Sequence, residues 1–460
     1  MTQIPITSPP SSDTLPYISG EPSTNSDNVN IGEEICILTN LLIPGRGEPQ
    51  SEMAVGISLG TGKITFVGPQ STLPATLASA PCLHVHSLLP GLWDCHTHFA
   101  GTTHVDFPDM IVKNPAVYGA INVRGFYDTL MAGFTSVRDV GSFAIETYEA
   151  VKAGLILGPT VYGAGAAIGI TGGSCDAVTL PLDFVNSRQG TSVSNTCPGC
   201  STLQLADGPD ECRKAVRQQI RRGAKCIKVV ATGGILSTSD DPQNRQYSNE
   251  ELRVLIEEAT LQGRAVACHA HGKAGILAAV RAGAHTIEHG SYLDQEAADL
   301  MRDRGVTLVA TRHVIEASLK HLDKLNPETR EKMVSVSHQH LEAYRTAVRT
   351  GVKIALGTDV CSSDLKSLDC HGTNGHEVSL AVKAGLTPLQ AIEAGTINSA
   401  ETLGPLTPMK GLIKVGWDAD MIALDDNPLE NIDVLAVPDK VKYVWQMGKL
   451  VKAPGRSFWP

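Results

Sequence analysis

The sequence predicts an α/β protein, a (β/α)8 TIM barrel with a small β-sandwich domain built from both chain ends. Apolar, strand-like segments alternate with capped amphipathic helices, which is typical of parallel βα units. Glycines follow the helical stretches and precede the apolar segments by a few residues, as helix C-terminal caps do. Short β-like runs flank this alternating region on both sides. The capping glycines are Gly133, Gly154, Gly223, Gly263, Gly283, Gly305 and Gly351.

The predicted elements follow one another along the central region. Residues 248–251 are Ser-Asn-Glu-Glu, a capping box, and the amphipathic pattern behind it predicts a helix as far as Gln262. A second helix is predicted over 209–222, where a proline stands at the start. The eight predicted strands are 88–98, 135–141, 160–165, 226–231, 265–269, 286–289, 307–311 and 353–359.

The two ends of the chain predict a second, smaller unit. The β-like runs within 32–87 and 412–454 are each too short to enclose a core, so we expect them to form one β-sandwich domain. Residues 88–411 then form the predicted barrel, a length that such barrels commonly have. Residues 1–31 are rich in Ser, Pro, Thr and Asn and are expected to be a disordered tail. The tail lacks the apolar segment of a secretory signal, so a cytoplasmic location is expected.

Charge and cysteine usage narrow the possible partners. The formal net charge of −10 offers no basic surface for nucleic acid, and no apolar run reaches transmembrane length. Neither nucleic acid nor a membrane is therefore an expected partner. The eleven cysteines are odd in number and scattered, unlike a disulfide framework. Cys197 and Cys200 form a CxxC pair in a Gly/Ser/Thr-rich loop, for which an ordinary loop is favoured over structural zinc.

Candidate metal ligands stand at the ends of the predicted strands. His96 and His98 lie two residues apart on the first strand, so both imidazoles face one side, as zinc-type ligands would. Alone, this pair is more typical of ordinary surface histidines than of a metal site. Four more candidate ligands each end a separate apolar segment, and the C-terminal strand ends of a barrel form its active site. These four are Lys228, His269, His289 and Asp359.

These residues resemble the amidohydrolase superfamily of metal-dependent hydrolases over about residues 36–454. The segment 90–98, PGLWDCHTH, resembles the signature of the first strand in that family. Segments 219–225, 271–276 and 310–312 resemble its branch of ochratoxinase, metallo-carboxypeptidases and prolidases. The resemblance implies hydrolysis of an amide bond in an N-acyl amino acid or dipeptide-like substrate, with release of an amino acid.

The same resemblance implies a binuclear centre with two divalent cations, for which zinc is expected. His96, His98 and Asp359 would hold the more buried cation, and His269 with His289 the more exposed one. A bridging hydroxide would attack the carbonyl in such a centre. A bridge between the cations needs a bidentate anion, which a carboxylated Lys228 would supply. The alternative for Lys228 is a solvated or salt-bridged lysine, which its apolar strand makes costly.

Other residues are candidates for roles beside the metals. Asp359 is expected to accept and return a proton during catalysis, although Asp after a strand is also a common helix N-cap. His271 is expected to hydrogen-bond the scissile carbonyl or to support a ligand. Arg312 offers a fork for a substrate carboxylate, or else forms a structural ion pair. His313 and Tyr247 are weaker candidates for substrate contact.

Alternatives within and outside this chemistry stay open. One alternative is a cyclic amide or lactone hydrolase, or a deaminase, of the same superfamily. Lys228 argues against those of these enzymes that use a single metal. A non-catalytic metal-binding barrel is another, although it would be expected to have lost ligands. The loops 180–204 and 361–377 depart from the family pattern, which leaves the small-molecule amide substrate unidentified. A homo-oligomer is also expected.

Overall fold

The computed structural model describes most of the chain. The predicted tail 1–31, Cys197 and Cys200 lie outside the described residues, as does most of the second half of the loop 180–204. The described ranges are 34–103, 108–112, 114–190, 202–237, 240–364, 366–367 and 369–456.

Strands in the described residues are numbered in chain order. They are β1 Glu34–Leu42, β2 Gln50–Ser58, β3 Lys63–Pro69, β4 Cys82–Pro90, β5 Leu92–Thr102, β6 Phe134–Asp139, β7 Thr160–Gly163, β8 Ala167–Gly169, β9 Leu203–Leu205, β10 Cys226–Val230, β11 Ala265–Ala270, β12 Thr286–His289, β13 Thr307–Val309, β14 Ile354–Ala355, β15 Val360–Ser362, β16 Met421–Leu424, β17 Val441–Gln446 and β18 Lys449–Lys452.

The α-helices are numbered in the same way, and a π-helical turn, Ala394–Asn398, lies between the last two. They are α1 Ala75–Ala78, α2 Asp109–Val112, α3 Pro115–Met131, α4 Ala144–Lys152, α5 Leu182–Gln189, α6 Gly208–Arg222, α7 Asn249–Leu261, α8 Lys273–Ala282, α9 Gln295–Arg304, α10 Arg312–Leu319, α11 Pro327–Thr350, α12 His376–Lys383, α13 Pro388–Glu393 and α14 Ser399–Glu401. Within the described part, no helix is both long and apolar enough to span a bilayer.

Strands from both ends of the chain form one sheet, the terminal sheet, in the order β18-β17-β16-β4-β1-β2-β3. Where the sequence suggested two packed sheets, the described residues form one continuous sheet, because β4 pairs with β1 along one edge and with β16 along the other. The sheet has an apolar core to which both ends contribute, including Ile37, Val55 and Trp445.

The central region is an α/β arrangement of parallel strands. One sheet has the order β14-β13-β12-β11-β10-β8-β9 and another the order β15-β5-β6-β7. Backbone hydrogen bonds join these two sheets on both sides: Cys95 N donates to Leu356 O (2.8 Å), and Lys225 N donates to Gly163 O (2.8 Å). Apolar residues from strands and helices together form the largest buried cluster.

The predicted helix signals are confirmed at several places. Ser248 and Glu251 form the predicted capping box at the start of α7. Gly223 and Gly283 end α6 and α8 in the left-handed conformation, with φ of 111° and 97°, which glycine adopts without a Cβ clash. These caps turn the chain back into the next strand.

Two predicted strands differ most from the structure. The predicted strand 88–98 is divided at Gly91: β4 ends in the terminal sheet and β5 begins in the parallel one. A side chain at position 91 would clash with Thr135. The last predicted strand, 353–359, is reduced to Ile354–Ala355. Residues 356–359 belong to no strand, and Asp359 itself has a φ of 64°, outside the extended region.

Candidate active site

All six predicted metal ligands line one cavity. His96 and His98 lie on β5 and Lys228 on β10, whereas His269 and His289 lie towards the C-terminal ends of β11 and β12. Asp359 follows β14 and contacts β5, since its backbone N–H donates to His96 O at 2.8 Å. Much of the rest of the wall is apolar and includes Ile235, Leu236, Val314, Ile315 and Met333.

The ligand atoms form two clusters. In each, one ligand atom per residue lies within 4.8 Å of the others, and the residues are His96, His98 and Asp359 in the first and His269, His271 and His289 in the second. Asp359 Oδ1 lies 3.1 Å from His98 Nε2 and 3.4 Å from His96 Nε2. The structure thus brings His271 into the second group, beside the two histidines that the sequence analysis placed there.

Each of the five histidines has one ring nitrogen within hydrogen-bond distance of a group that is not itself a candidate ligand. The other nitrogen is then left for a ligand, which is how histidines are oriented for metal binding. The donor set of nitrogen and carboxylate oxygen therefore fits zinc-type cations. The tied pairs are His96 Nδ1 with Glu288 Oε2 (2.6 Å), His98 Nδ1 with Gly141 O (3.0 Å), His269 Nε2 with Gly233 O (3.2 Å), His271 Nδ1 with Ser291 Oγ (2.7 Å) and His289 Nδ1 with Thr311 Oγ1 (2.7 Å).

Lys228 is a buried lysine beside the first cluster. Its side chain is almost fully enclosed, and Nζ lies 3.2 Å from His96 Nε2. Within the part of the chain that the structure describes, no carboxylate oxygen forms an ion pair with Nζ. Burial lowers the pKa of Lys228, which favours the neutral amine. A neutral amine is the form that reacts with carbon dioxide, so the surroundings of Lys228 fit a carboxylated lysine.

Asp359 and His98 form a strongly polarised pair. Burial alone would raise the pKa of Asp359, but the hydrogen bond with His98 and the electrostatic contributions of His96, His98 and Lys228 lower it to about 2. Burial opposes protonation of His98, yet the Asp359 carboxylate outweighs that effect and raises the pKa of His98. Asp359 is therefore ionised at neutral pH, as both a ligand and a proton acceptor must be.

Three residues at strand ends have a strained backbone. His289, Thr311 and Asp359 have φ of 70°, 54° and 64°, in the left-handed region that residues other than glycine rarely adopt. Two of them are candidate ligands, and Thr311 Oγ1 contacts His289 Nδ1. Such strain concentrates at functional sites, where the surrounding structure holds side chains in place.

Two charged residues beneath the site were missed by the sequence analysis. Glu288 and Arg138 are fully buried and form an ion pair of 2.8 Å, and Glu288 also contacts His96. Both stand within apolar strands, where an unpaired charge is very costly. That setting was the available signal, since a charged residue in a buried strand needs a partner of opposite charge.

The structure corrects the interpretation of Arg312 as a substrate-binding residue. Arg312 does not line the cavity, and its guanidinium donates to Glu316 Oε1 (2.6 Å and 2.9 Å) and to Ser337 O (2.5 Å). The side chain runs along α10 because the helix begins at Arg312, which places Glu316 four residues further on the same face. Arg312 therefore joins α10 to α11, the structural alternative.

His313 and Tyr247 are also directed away from the cavity. His313 Nε2 lies 2.9 Å from Thr373 Oγ1, and the ring stacks on His376. Tyr247 is buried in the large apolar core and donates its hydroxyl to Ala206 O at 3.1 Å. Neither lines the cavity, so both pack within the protein instead of contacting substrate.

Two residues of the segment 361–377, Asn374 and Glu377, support the site without lining the cavity. Asn374 Nδ2 donates to Asp94 Oδ2 (2.7 Å), and Asp94 Oδ1 in turn accepts from the backbone N–H groups of His96 and Thr358. Glu377 accepts from the backbone N–H groups at the start of α10. These contacts hold β5 against the backbone that leads to Asp359.

Comparison with known proteins gives consistent results. The model of the amidohydrolase family matches residues 87–451. Ochratoxinase from Aspergillus niger is 44% identical over 432 residues, which cover 92% of this chain and 88% of that protein. The crystal structure of A. niger ochratoxinase has a TM-score of 0.85 at 42% identity, covering 93% of this chain and 97% of that one.

Two peptidase structures are also similar. A Xaa-Pro dipeptidase with bound methionine has a TM-score of 0.79 at 31% identity, covering 92% of this chain and all (100%) of that one. A prolidase complexed with N-methylphosphonate-L-proline has a TM-score of 0.80 at 30% identity, covering 91% of this chain and 100% of that one. The chain therefore belongs to the amidohydrolase family and is a hydrolase that acts on C–N bonds.

Proposed function

We propose that this chain is a binuclear metal-dependent hydrolase that cleaves the amide bond of an N-acyl amino acid or dipeptide-like substrate. The observation that carries the proposal is the pair of three-residue ligand clusters in one cavity, with the buried Lys228 beside them. The similar proteins support it, since they include an ochratoxinase, a Xaa-Pro dipeptidase and a prolidase.

Two divalent cations, preferably zinc, would bind to these clusters. His96, His98 and Asp359 would hold one cation, and His269 with His289 the other. Carboxylated Lys228 would bridge them; its formation joins neutral Nζ to carbon dioxide and releases one proton. When bound, such cations polarise the substrate carbonyl and lower the pKa of water, which provides a nucleophile at neutral pH.

The side chains around the scissile bond have distinct roles in this proposal. Asp359 accepts the proton of the attacking water and passes it to the leaving nitrogen, which departs as an amine. His271 is neutral, because burial lowers its pKa well below the usual value. With Ser291 donating to Nδ1, its Nε2–H is free to donate to the carbonyl oxygen as negative charge develops there.

The cavity walls favour an apolar substituent. Ile235, Leu236, Val314 and Met333 form a continuous apolar surface on one side of the ligands. Burying an apolar group there is worth about 25 cal/mol per Å². We therefore propose that the substrate carries an aromatic or large aliphatic group, with a free carboxylate on the released amino acid. The prolidase ligand, N-methylphosphonate-L-proline, has such a carboxylate.

The architecture is part of the same proposal. We propose that the two parallel sheets form one closed (β/α)8 barrel, since backbone hydrogen bonds join them on both sides. Residues 88–411 would make up that barrel, and 32–87 with 412–454 the β-rich unit that contains the terminal sheet.

A substrate panel read by mass spectrometry tests the proposed function. The panel contains N-acyl amino acids, Xaa-Pro and other dipeptides, and ochratoxin, each offered as the free acid and as the methyl ester. It also contains simple cyclic amides and lactones. A charge-assisted contact with the carboxylate is worth roughly 1.5 to 3 kcal/mol, so the ester should have a kcat/KM about 10- to 100-fold lower. Equal turnover of acid and ester would contradict carboxylate recognition, and cleavage of cyclic amides or lactones alone would replace the proposed reaction.

A further inference from the structure

A buried ion pair next to the site joins one parallel sheet to the other. Arg138 on β6 and Glu288 on β12 have no exposed surface, and Arg138 Nη2 lies 2.8 Å from Glu288 Oε1. Arg138 Nε also donates to Cys95 O at 2.6 Å, next to His96. The second carboxylate oxygen, Glu288 Oε2, lies 2.6 Å from His96 Nδ1.

This ion pair is not explained by stability alone. Two buried charges lose their hydration, which costs free energy. Well-packed apolar residues of the same size often give a fold equal or greater stability. The carboxylate also accepts from Thr286 Oγ1, so Glu288 is fully engaged by Arg138, Thr286 and His96. Of these three partners, His96 is the one that lines the cavity.

His96 differs from the other histidines of the site in what holds it. In the described residues, the other four ring nitrogens meet uncharged oxygens, namely the carbonyls of Gly141 and Gly233 and the hydroxyls of Ser291 and Thr311. Apart from contacts with the candidate ligand Asp359, His96 alone among the five meets a carboxylate. A carboxylate partner orients the ring, fixes the proton on the bonded nitrogen and makes the free nitrogen a stronger ligand.

We propose that Glu288, held in place by Arg138, is a positioning residue that makes His96 an Nε2 ligand and gives the first cluster the higher cation affinity. The proposal rests on the proposed function, because it concerns the same two cation sites. Its consequence is an order of loading. The cluster of His96, His98 and Asp359 fills first, and the histidine cluster of His269 and His289 fills second.

Cation binding, measured without catalysis, tests this inference. Wild type, Glu288→Gln, the double variant Glu288→Gln/Arg138→Met and the control Asp420→Asn are stripped of metal and titrated with zinc against a competing chelator. The loss of a carboxylate partner typically costs 10- to 100-fold in metal affinity. We therefore expect Glu288→Gln to weaken the tighter site by about that factor and to leave the weaker site nearly unchanged.

Thermal unfolding of the metal-free proteins separates positioning from simple destabilisation. Glu288→Gln leaves Arg138 buried without its counter-ion, so Tm should fall. The double variant removes that charge and should regain part of the Tm without regaining zinc affinity. Asp420→Asn breaks another buried ion pair, with Lys410 at 2.7 Å, and Asp420 neither lines the cavity nor contacts a ligand. It should lower Tm and leave both zinc affinities unchanged.

The outcomes distinguish this inference from the proposed function. If wild type binds two cations and Glu288→Gln binds them with the same affinity, the inference is overturned and the proposed function stands. Zinc affinity that falls in step with Tm in all variants, Asp420→Asn included, also overturns it. If wild type binds a single cation and Glu288→Gln binds that cation more weakly, the result supports the inference and contradicts the binuclear function. Wild type that binds no cation overturns both.

Discussion

Replacing Asp359 by Asn removes the proposed proton acceptor while keeping an oxygen atom at the same position. Asp359 Oδ1 is 3.1 Å from His98 Nε2 and 3.4 Å from His96 Nε2, so an amide oxygen placed there could still act as a ligand. Asp359 has φ of 64°, a conformation that Asn tolerates as Asp does. The variant is therefore expected to fold and to bind cations.

The expected loss of rate follows from the charge of Asp359. Although burial raises the pKa of a carboxyl group, His98, His96 and Lys228 lower the pKa of Asp359 to about 2. Nearly every wild-type molecule then has an ionised base at neutral pH, whereas an amide offers none. A positioned general base contributes about 100- to 10,000-fold. We expect kcat to fall by that factor, or about 2.7 to 5.4 kcal/mol at 1.36 kcal/mol per tenfold.

The assay compares steady-state rates at equal metal content. Cations per chain are measured by elemental analysis for wild type, Asp359→Asn and the control Asp364→Asn. Asp364 lines a neighbouring cavity, does not line the cavity of the site and belongs to neither ligand cluster. The control should retain wild-type kcat. If Asp359→Asn with its full metal content turned over at the wild-type rate, another group would have to be the base.

Three further predictions concern other parts of the molecule. Loss of a ligand's hydrogen-bond partner typically lowers activity 10- to 100-fold, and Lys228→Ala, which removes the proposed bridge itself, should lower it further. Acetate in solution should restore part of kcat/KM. Full activity of the variant without acetate would contradict the bridge. Arg312→Ala should lower the free energy of unfolding, measured in urea, by about 1 to 3 kcal/mol and leave the ratio of free-acid to ester turnover unchanged. A fall in that ratio would indicate that Arg312 binds the substrate carboxylate. Trp445→Ala, in the core of the terminal sheet, should cost about 3 to 5 kcal/mol in the same unfolding assay, and a cost below about 1 kcal/mol would contradict the packing.

The sequence predicted the positions of the candidate ligands better than the directions of the side chains around them. Strand ends can be located from glycine caps and apolar periods, and parallel strands bring their C-terminal ends together. This reasoning places His96 and Asp359, far apart in the chain, at the same end of the parallel strands, and their side chains lie 3.4 Å apart. Placing them at one end needs only the order of the elements.

Arg312 shows why the substrate contacts could not be predicted in the same way. Its position directly after a strand suggested the cavity, but α10 begins at this residue and Glu316 lies one turn further along the helix. Glu288 is the opposite case: it contacts the candidate ligand His96, but the sequence analysis did not include it among the site residues. Its partner Arg138 is 150 residues away in sequence, and only the fold brings the two together.

The number of divalent cations bound per active chain tests the central claim most directly. Protein stripped by a chelator is reloaded with stepwise additions of zinc in the presence of bicarbonate, and bound metal and amide hydrolysis are measured on the same samples. The account predicts full activity only when the second equivalent has bound, with two cations per chain at saturation. Full activity with no more than one cation per chain would contradict it.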